Sequence, residues 1–104
     1  MTPKDAQALW ARGDLTIIDC REPDEHERSR IDGVPLIPMS QLAERIDEVP
    51  TDGDLAVICR SGGRSAQVAD FLTAQGEYGT VANVDGGIIA WAAAGLDYEG
   101  DEPD

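Results

Sequence analysis

Leu55-Ala56-Val57-Ile58-Cys59-Arg60-Ser61-Gly62-Gly63-Arg64-Ser65-Ala66-Gln67-Val68-Ala69-Asp70-Phe71-Leu72 decides the reading of the chain. Leu55 to Ile58 is a short apolar run of the kind that forms a buried strand. Ser65 to Leu72 has the spacing of a helix. A cysteine therefore stands where a strand hands over, through a Gly- and Arg-rich loop, to a helix N-terminus. Such an end presents unpaired backbone N–H groups and the positive end of the helix dipole. It attracts anions and lowers a thiol's pKa. Gly62 and Gly63 permit backbone conformations closed to residues with a Cβ, so successive N–H groups can turn toward one centre. Arg60 and Arg64 add charge and paired donors for an oxyanion. Ser65 can cap the helix or face the sulfur. The alternative is an inert, buried cysteine before a turn; two Arg and two Gly within five residues argue against it.

The chain around this loop is acidic: of its 104 residues 21 are Asp or Glu and 8 Lys or Arg, a net charge of −13. Nucleic acid and anionic membrane are poor partners for such a surface. Lys4 is the one lysine, the other basic residues being Arg. A Lys-poor acidic surface is what a halophilic protein carries, and also what a merely acidic cytoplasmic one carries. Two cysteines make no disulfide framework, and with a single His they lack the spacing of a metal site, so neither metal nor cofactor is expected. No signal peptide or spanning segment is read, and a reducing cytoplasm is the expected setting.

Outward from the loop, Thr2-Pro3-Lys4-Asp5 starts a helix that Gly13 ends. Leu15 to Ile18 is a strand leading into Asp19-Cys20-Arg21-Glu22, and Pro23 to Arg28 a helical turn. Val34-Pro35-Leu36-Ile37-Pro38 is extended, with prolines suited to a sheet edge. Ser40 opens a short helix with Leu42, Ala43 and Ile46 inward. Thr80 to Val84 is a strand, and Asp85-Gly86-Gly87 turns into a helix over Ile88–Ala94. Residues 1–97 form one domain; Tyr98 to Asp104 are an acidic tail expected to fray. Strands alternating with helices imply a parallel α/β sheet, whose ligands bind beyond the carboxyl ends of the strands. Asp19-Cys20-Arg21, Cys59 and Asp85-Gly86-Gly87 all lie just past strand ends and should share one rim.

Taken together, these segments resemble the single-domain members of the rhodanese-like sulfurtransferase family. Asp19-Cys20-Arg21 matches its Asp-x-Arg strand end, and Arg30-Ile31-Asp32-Gly33-Val34 its Gly-His-Ile-x-Gly-Ala loop. Cys59 to Ser65 matches the catalytic loop, and Gly86-Gly87-Ile88-Ile89-Ala90-Trp91 its Gly-Gly-x-x-x-Trp element. In order and spacing the motifs cover nearly the whole chain. The resemblance implies a three-layer α/β fold with a central, mostly parallel sheet of four or five strands. It implies a sulfurtransferase in which Cys59 takes a sulfane sulfur from a small anionic donor such as thiosulfate, holds it as a persulfide, and gives it to cyanide, a thiol or a sulfur-carrier protein. The loop residues Arg60, Ser61, Gly62, Gly63, Arg64 and Ser65 would bind substrate and persulfide, Arg60 facing the anion and Arg64 bracing loop and helix. A relay domain between a cysteine desulfurase and a biosynthetic partner is the alternative. Phosphatases and arsenate reductases of related fold are a weaker one: they place five residues between Cys and Arg, whereas four separate Cys59 from Arg64, a ring sized for one sulfur atom.

One departure stands out. Ser29-Arg30-Ile31 replaces Gly-His-Ile, so Arg30 is either solvated or an added charge near the mouth. Asp19 and Arg21 are expected to pair behind the loop. Cys20 is either a core residue or, if its strand neighbours that of Cys59, a resolving thiol. Trp10 and Trp91 sit at core-like helical positions.

Overall fold

A computed structural model describes all 104 residues. The elements run α1 (Pro3–Ala11), β1 (Thr16–Asp19), α2 (Pro23–Arg28), β2 (Ser29–Arg30), β3 (Leu55–Ile58), α3 (Gly63–Gln75), β4 (Val81–Asn83), α4 (Gly87–Ala93) and β5 (Glu99–Gly100). β1, β3 and β4 form a parallel sheet with β3 in the middle. Its register pairs Asp19 with Ile58 and Val57 with Asn83.

The alternation of side chains along β3 makes the fold three-layered. Leu55, Val57 and Cys59 point into one core with Ile18, Cys20 and α3 residues Val68, Ala69 and Leu72. Ala56 and Ile58 point into the other, with Ile17, Val84, Ala6 of α1, and Ile88 and Trp91 of α4. Both faces of β3 are thus buried, which is why it reads as an uninterrupted apolar run. Each fully buried Leu, Ile or Val contributes about 1.5–3 kcal/mol. Trp91 is fully buried, donates its indole N–H to the Asp97 carbonyl at 2.9 Å, and meets Trp10 edge to face at 6.2 Å.

The sheet has three strands rather than the expected four or five. Leu36 makes one parallel bridge to Asp19, through Asp19 N–H to the Pro35 carbonyl and Ile37 N–H to the Asp19 carbonyl, both 2.9 Å. Pro35 and Pro38 have no N–H to extend that ladder. β2 and β5 pair antiparallel in a separate two-stranded ribbon. The segment read as a helix after Ser40 is instead two 3₁₀ turns, Met39–Gln41 and Ile46–Glu48, with Leu42 buried and Ala43 exposed. Glu99 and Gly100, read as part of a fraying tail, are β5 and lie against β2. The carboxyl ends of β1, β3 and β4 bring Asp19, Cys59 and the Asp85-Gly86-Gly87 turn to one rim.

Candidate active site

Cys59 directly follows β3, is 1% exposed, and its sulfur faces the first turn of α3. The Gly62 N–H and the Ser65 hydroxyl each lie 3.1 Å from Sγ. Burial alone would raise the thiol's pKa. The hydrogen bonds from the Ser65 hydroxyl and from the N–H groups of Ser65, Gly62 and Ser61 outweigh it, and the pKa falls below the ordinary value. α3 begins at Gly63, two residues earlier than its pattern suggests, so Arg64 and Ser65 belong to its first turn. Gly62, in the left-handed conformation at φ +102°, is its N-cap, while Gly63 is helical.

The loop's N–H groups can point inward because its carbonyls are held outward. Ile88 N–H binds the Cys59 carbonyl at 2.8 Å, and Ile89 N–H binds that of Arg60 at 3.2 Å. Both donors are first-turn N–H groups of α4, which a helix leaves unpaired. The approach needs Gly87: at φ +64° a Cβ there would lie 2.4 Å from the Arg60 oxygen and 2.5 Å from that of Cys59. The Gly-Gly turn is therefore part of the loop's frame.

Asn83 is a site residue the sequence reading missed. Its Oδ1 lies 2.5 Å from Ser65 Oγ. A hydroxyl has one proton, so Ser65 cannot donate to both Asn83 and Cys59. When Cys59 is a thiol, S–H can donate to Ser65 Oγ and Ser65 to Asn83. When Cys59 is a thiolate, Ser65 donates to sulfur, and Asn83 satisfies Ser65 by turning its amide to offer N–H₂. The signal was a polar residue ending an otherwise apolar strand, but only the β3–β4 register places it beside Ser65.

The two loop arginines part company. Arg64 makes a two-pronged ion pair with Glu25 of α2, at 2.6 and 2.8 Å. That pair lowers the Glu25 pKa to about 2 and raises that of Arg64. Arg64 thus fastens α3 to α2. Arg60 is exposed on the rim, its Nε–H donating to the main-chain oxygen of Asp104.

Behind them Asp19 and Arg21, each 2% exposed, pair at 2.7 Å. Arg21 also donates to the Ser29 carbonyl at 2.7 Å and the Glu25 carbonyl at 3.4 Å. An unbroken polar chain runs Asp19–Arg21–Glu25–Arg64 from β1 to the Cys59 loop. Arg30 folds back onto the carbonyls at the C-terminus of α2, Glu27 at 2.9 Å and His26 at 3.3 Å, the position where a cation stabilises a helix end. Cys20 lies beside Cys59 because β1 and β3 are in-register neighbours. Burial, then the charges of Cys59 and Asp19, push its thiol up to about 12.

Comparison with known proteins agrees with this geometry. The sequence profile of the family described as Rhodanese-like domain matches residues 2–94. A sulfurtransferase of Allochromatium vinosum is 42% identical over 91 residues, 88% of this chain and 84% of that one. The crystal structure of a rhodanese-related protein from Thermoplasma volcanium superposes with TM-score 0.85 at 31% identity, over 97% of both chains. A thiosulfate sulfurtransferase from Pseudomonas aeruginosa superposes with TM-score 0.84 at 29% identity, over 96% of this chain and 20% of the larger one.

Proposed function

The chain belongs to the rhodanese-like family, and from that premise we propose that it moves a sulfane sulfur from a small anionic donor such as thiosulfate to a thiophilic acceptor through a persulfide on Cys59. The observation that carries this is the cradle itself. One sulfur atom is met by a backbone N–H and a hydroxyl at 3.1 Å, at the head of a 13-residue helix.

In the first step the Cys59 thiolate attacks the outer sulfur of thiosulfate. The S–S bond of the donor breaks, its electron pair leaves with sulfite, and Cys59 becomes a persulfide anion. The ring of N–H groups suits that terminal sulfur, where the negative charge then rests. In the second step cyanide or a thiol attacks the terminal sulfur, and the Cys59 thiolate is the leaving group. With cyanide the product is thiocyanate. The two half-reactions are the covalent, ping-pong pattern of an activated nucleophile. Arg60, on the rim, is placed to meet the donor's sulfonate. Arg64, held by Glu25, keeps the loop in shape, which argues against the phosphatase reading, where the loop arginine must wrap the oxyanion.

The test is incubation with thiosulfate and cyanide. Thiocyanate should form, Cys59 should gain the mass of one sulfur when cyanide is omitted, and Cys59→Ala should do neither. Sulfur loading without thiocyanate turnover, followed by transfer to a carrier protein, would favour the relay reading. Phosphate release from an aryl phosphate without sulfur loading would sink both. A cytoplasmic setting belongs with this proposal, since a reducing medium keeps Cys59 free; no helix is long and apolar enough to cross a membrane.

A further inference from the structure

The acidic segment after α4 is fastened beside the Cys59 loop and reaches Arg60. Trp91 holds the Asp97 carbonyl, and Leu96 and Tyr98 pack against the core. Glu99 and Gly100 then pair with Arg30 and Ser29, and Asp101 N–H donates to the Arg28 carbonyl at 2.8 Å. Gly100, at φ +91°, is needed there, because a Cβ would lie 2.2 Å from that carbonyl oxygen. From this anchor residues 101–104 run over a cavity of about 430 Å³ floored by Arg21, Glu25, Arg28 and Arg60, and they end on the Arg60 guanidinium.

We infer that residues 101–104 are a charge-selective strap: the Asp104 main-chain oxygen sits on Arg60, the strap's carboxylates line the same cavity, and together they set which sulfur donors reach Cys59. Asp101, Glu102 and Asp104 place three carboxylates around the cavity that Arg60 lines. Of the basic residues around the cavity, Arg21 is spent on Asp19 and Arg28 pairs with Asp24 at 3.9 Å, leaving Arg60 without a carboxylate of its own. The rest of the −13 charge is spread over the surface and screened beyond about 8 Å at physiological salt, whereas the strap touches Arg60, the residue next to Cys59. A dianion such as thiosulfate must displace the strap from Arg60 and approach its carboxylates. A donor without net negative charge meets neither cost. The site thereby favours donors that carry less negative charge than thiosulfate, such as the singly charged persulfide of a zwitterionic thiol or a persulfide on the basic face of a protein.

The inference rests on the role given to Arg60 above, and its test does not require sulfur transfer. Iodoacetate and iodoacetamide alkylate a thiolate alike but differ in charge. Their relative rates at Cys59 should be compared in the full chain, in a chain ending at Gly100, and in the triple variant Asp101→Asn/Glu102→Gln/Asp104→Asn. Both altered chains should raise the iodoacetate-to-iodoacetamide ratio, on the order of tenfold at low salt, for removal of three charges beside Arg60. The gain should shrink toward molar salt. In the thiosulfate–cyanide assay the same changes should lower KM for thiosulfate and leave kcat in place, and with cysteine persulfide as donor the fall in KM should be smaller. Ratios equal in all three chains, no alkylation in any of them, or an equal rise for both reagents in the triple variant would overturn the strap. Absence of thiocyanate with an altered ratio would instead overturn the sulfurtransferase reading alone.

Discussion

Ser65 has one proton and two neighbours that can take it, and Cys59 reactivity turns on which one does. Because the cradle favours the thiolate, the rate of iodoacetamide alkylation against pH should have its midpoint below the ordinary thiol value of 9.0. Ser65→Ala removes the hydroxyl that donates to sulfur and should move the midpoint up. Asn83→Asp should move it up as well, since a carboxylate accepts the Ser65 proton and cannot turn to offer an N–H₂. A midpoint indifferent to both changes would show that the backbone N–H groups alone activate the sulfur. Cys20 should stay unlabelled throughout in the native protein, with its thiol at about 12 and 1% exposed. Cys59 and its loop were legible in the sequence because their chemistry is local: a thiol, two glycines and a helix start within a few residues. Asn83 was not, because its neighbour is chosen by sheet register. Nor was the partner of Arg64, for Glu25 lies 39 residues away and nothing local distinguishes it from the other acids.

Among the elements, α2 and α4 act as clamps on the Cys59 loop, α2 through Glu25 and Arg64, α4 through the Ile88 and Ile89 N–H groups. Gly87→Ala tests the α4 clamp. The new methyl meets main-chain atoms of Cys59 and Arg60, which cannot rotate away as a side chain can, and the positive φ adds strain. The expected cost is about 1–3 kcal/mol of stability, with at least a tenfold fall in sulfur transfer as the loop carbonyls shift. Wild-type turnover in that variant would remove the clamp from the mechanism. Glu25→Gln tests α2. The Glu25 carboxyl is held near 2 against an ordinary 4.5, so its contribution to stability is full above pH 4.5 and fades as pH falls toward 2. Stability measured across that window should fall less steeply in Glu25→Gln than in the wild type, and at neutral pH the variant should be the less stable. The element order was legible because hydrophobic runs and Gly or Pro stops punctuate this chain clearly. The strand count was not. Val34 to Pro38 has the apolar content of a strand, but its prolines limit it to one bridge. The 3₁₀ turns after Pro38 likewise have too few residues for a helical period to be distinguished.

For the whole molecule the governing quantity is net charge. At −13 over 104 residues the folded chain repels itself, and added salt screens that repulsion. The midpoint of chemical unfolding should therefore rise as sodium chloride is increased from tens of millimolar, with most of the gain below about 1 M, where the Debye length has shrunk to about 3 Å. A rise continuing steeply into molar salt would mark the halophilic adaptation that the Lys-poor, acidic composition suggests, and a flat curve would exclude it. Composition announces this property, but it does not tell where charges go. Residues 98–104 read as a solvated tail because, after Tyr98, Glu99-Gly100-Asp101-Glu102-Pro103-Asp104 offers no apolar side chain of core size. What fastens the segment is backbone pairing with β2 and the room that Gly100 leaves, and neither is written in hydropathy.

The Ile88 and Ile89 contacts to the Cys59 loop also bear on the order in which the protein comes into being. Cys59 leaves the ribosome about thirty residues before the groups that turn its loop carbonyls outward. Until β4 has joined the sheet and α4 has formed, the loop has no frame and the sulfur remains an ordinary, mostly protonated thiol at neutral pH. A nascent or partly unfolded chain therefore carries no hyper-reactive cysteine, and it can meet oxidants and electrophiles on the same terms as any other thiol. Chemical competence arrives only with the last third of the chain, so for this protein the reactivity of Cys59 is itself a report that folding is complete.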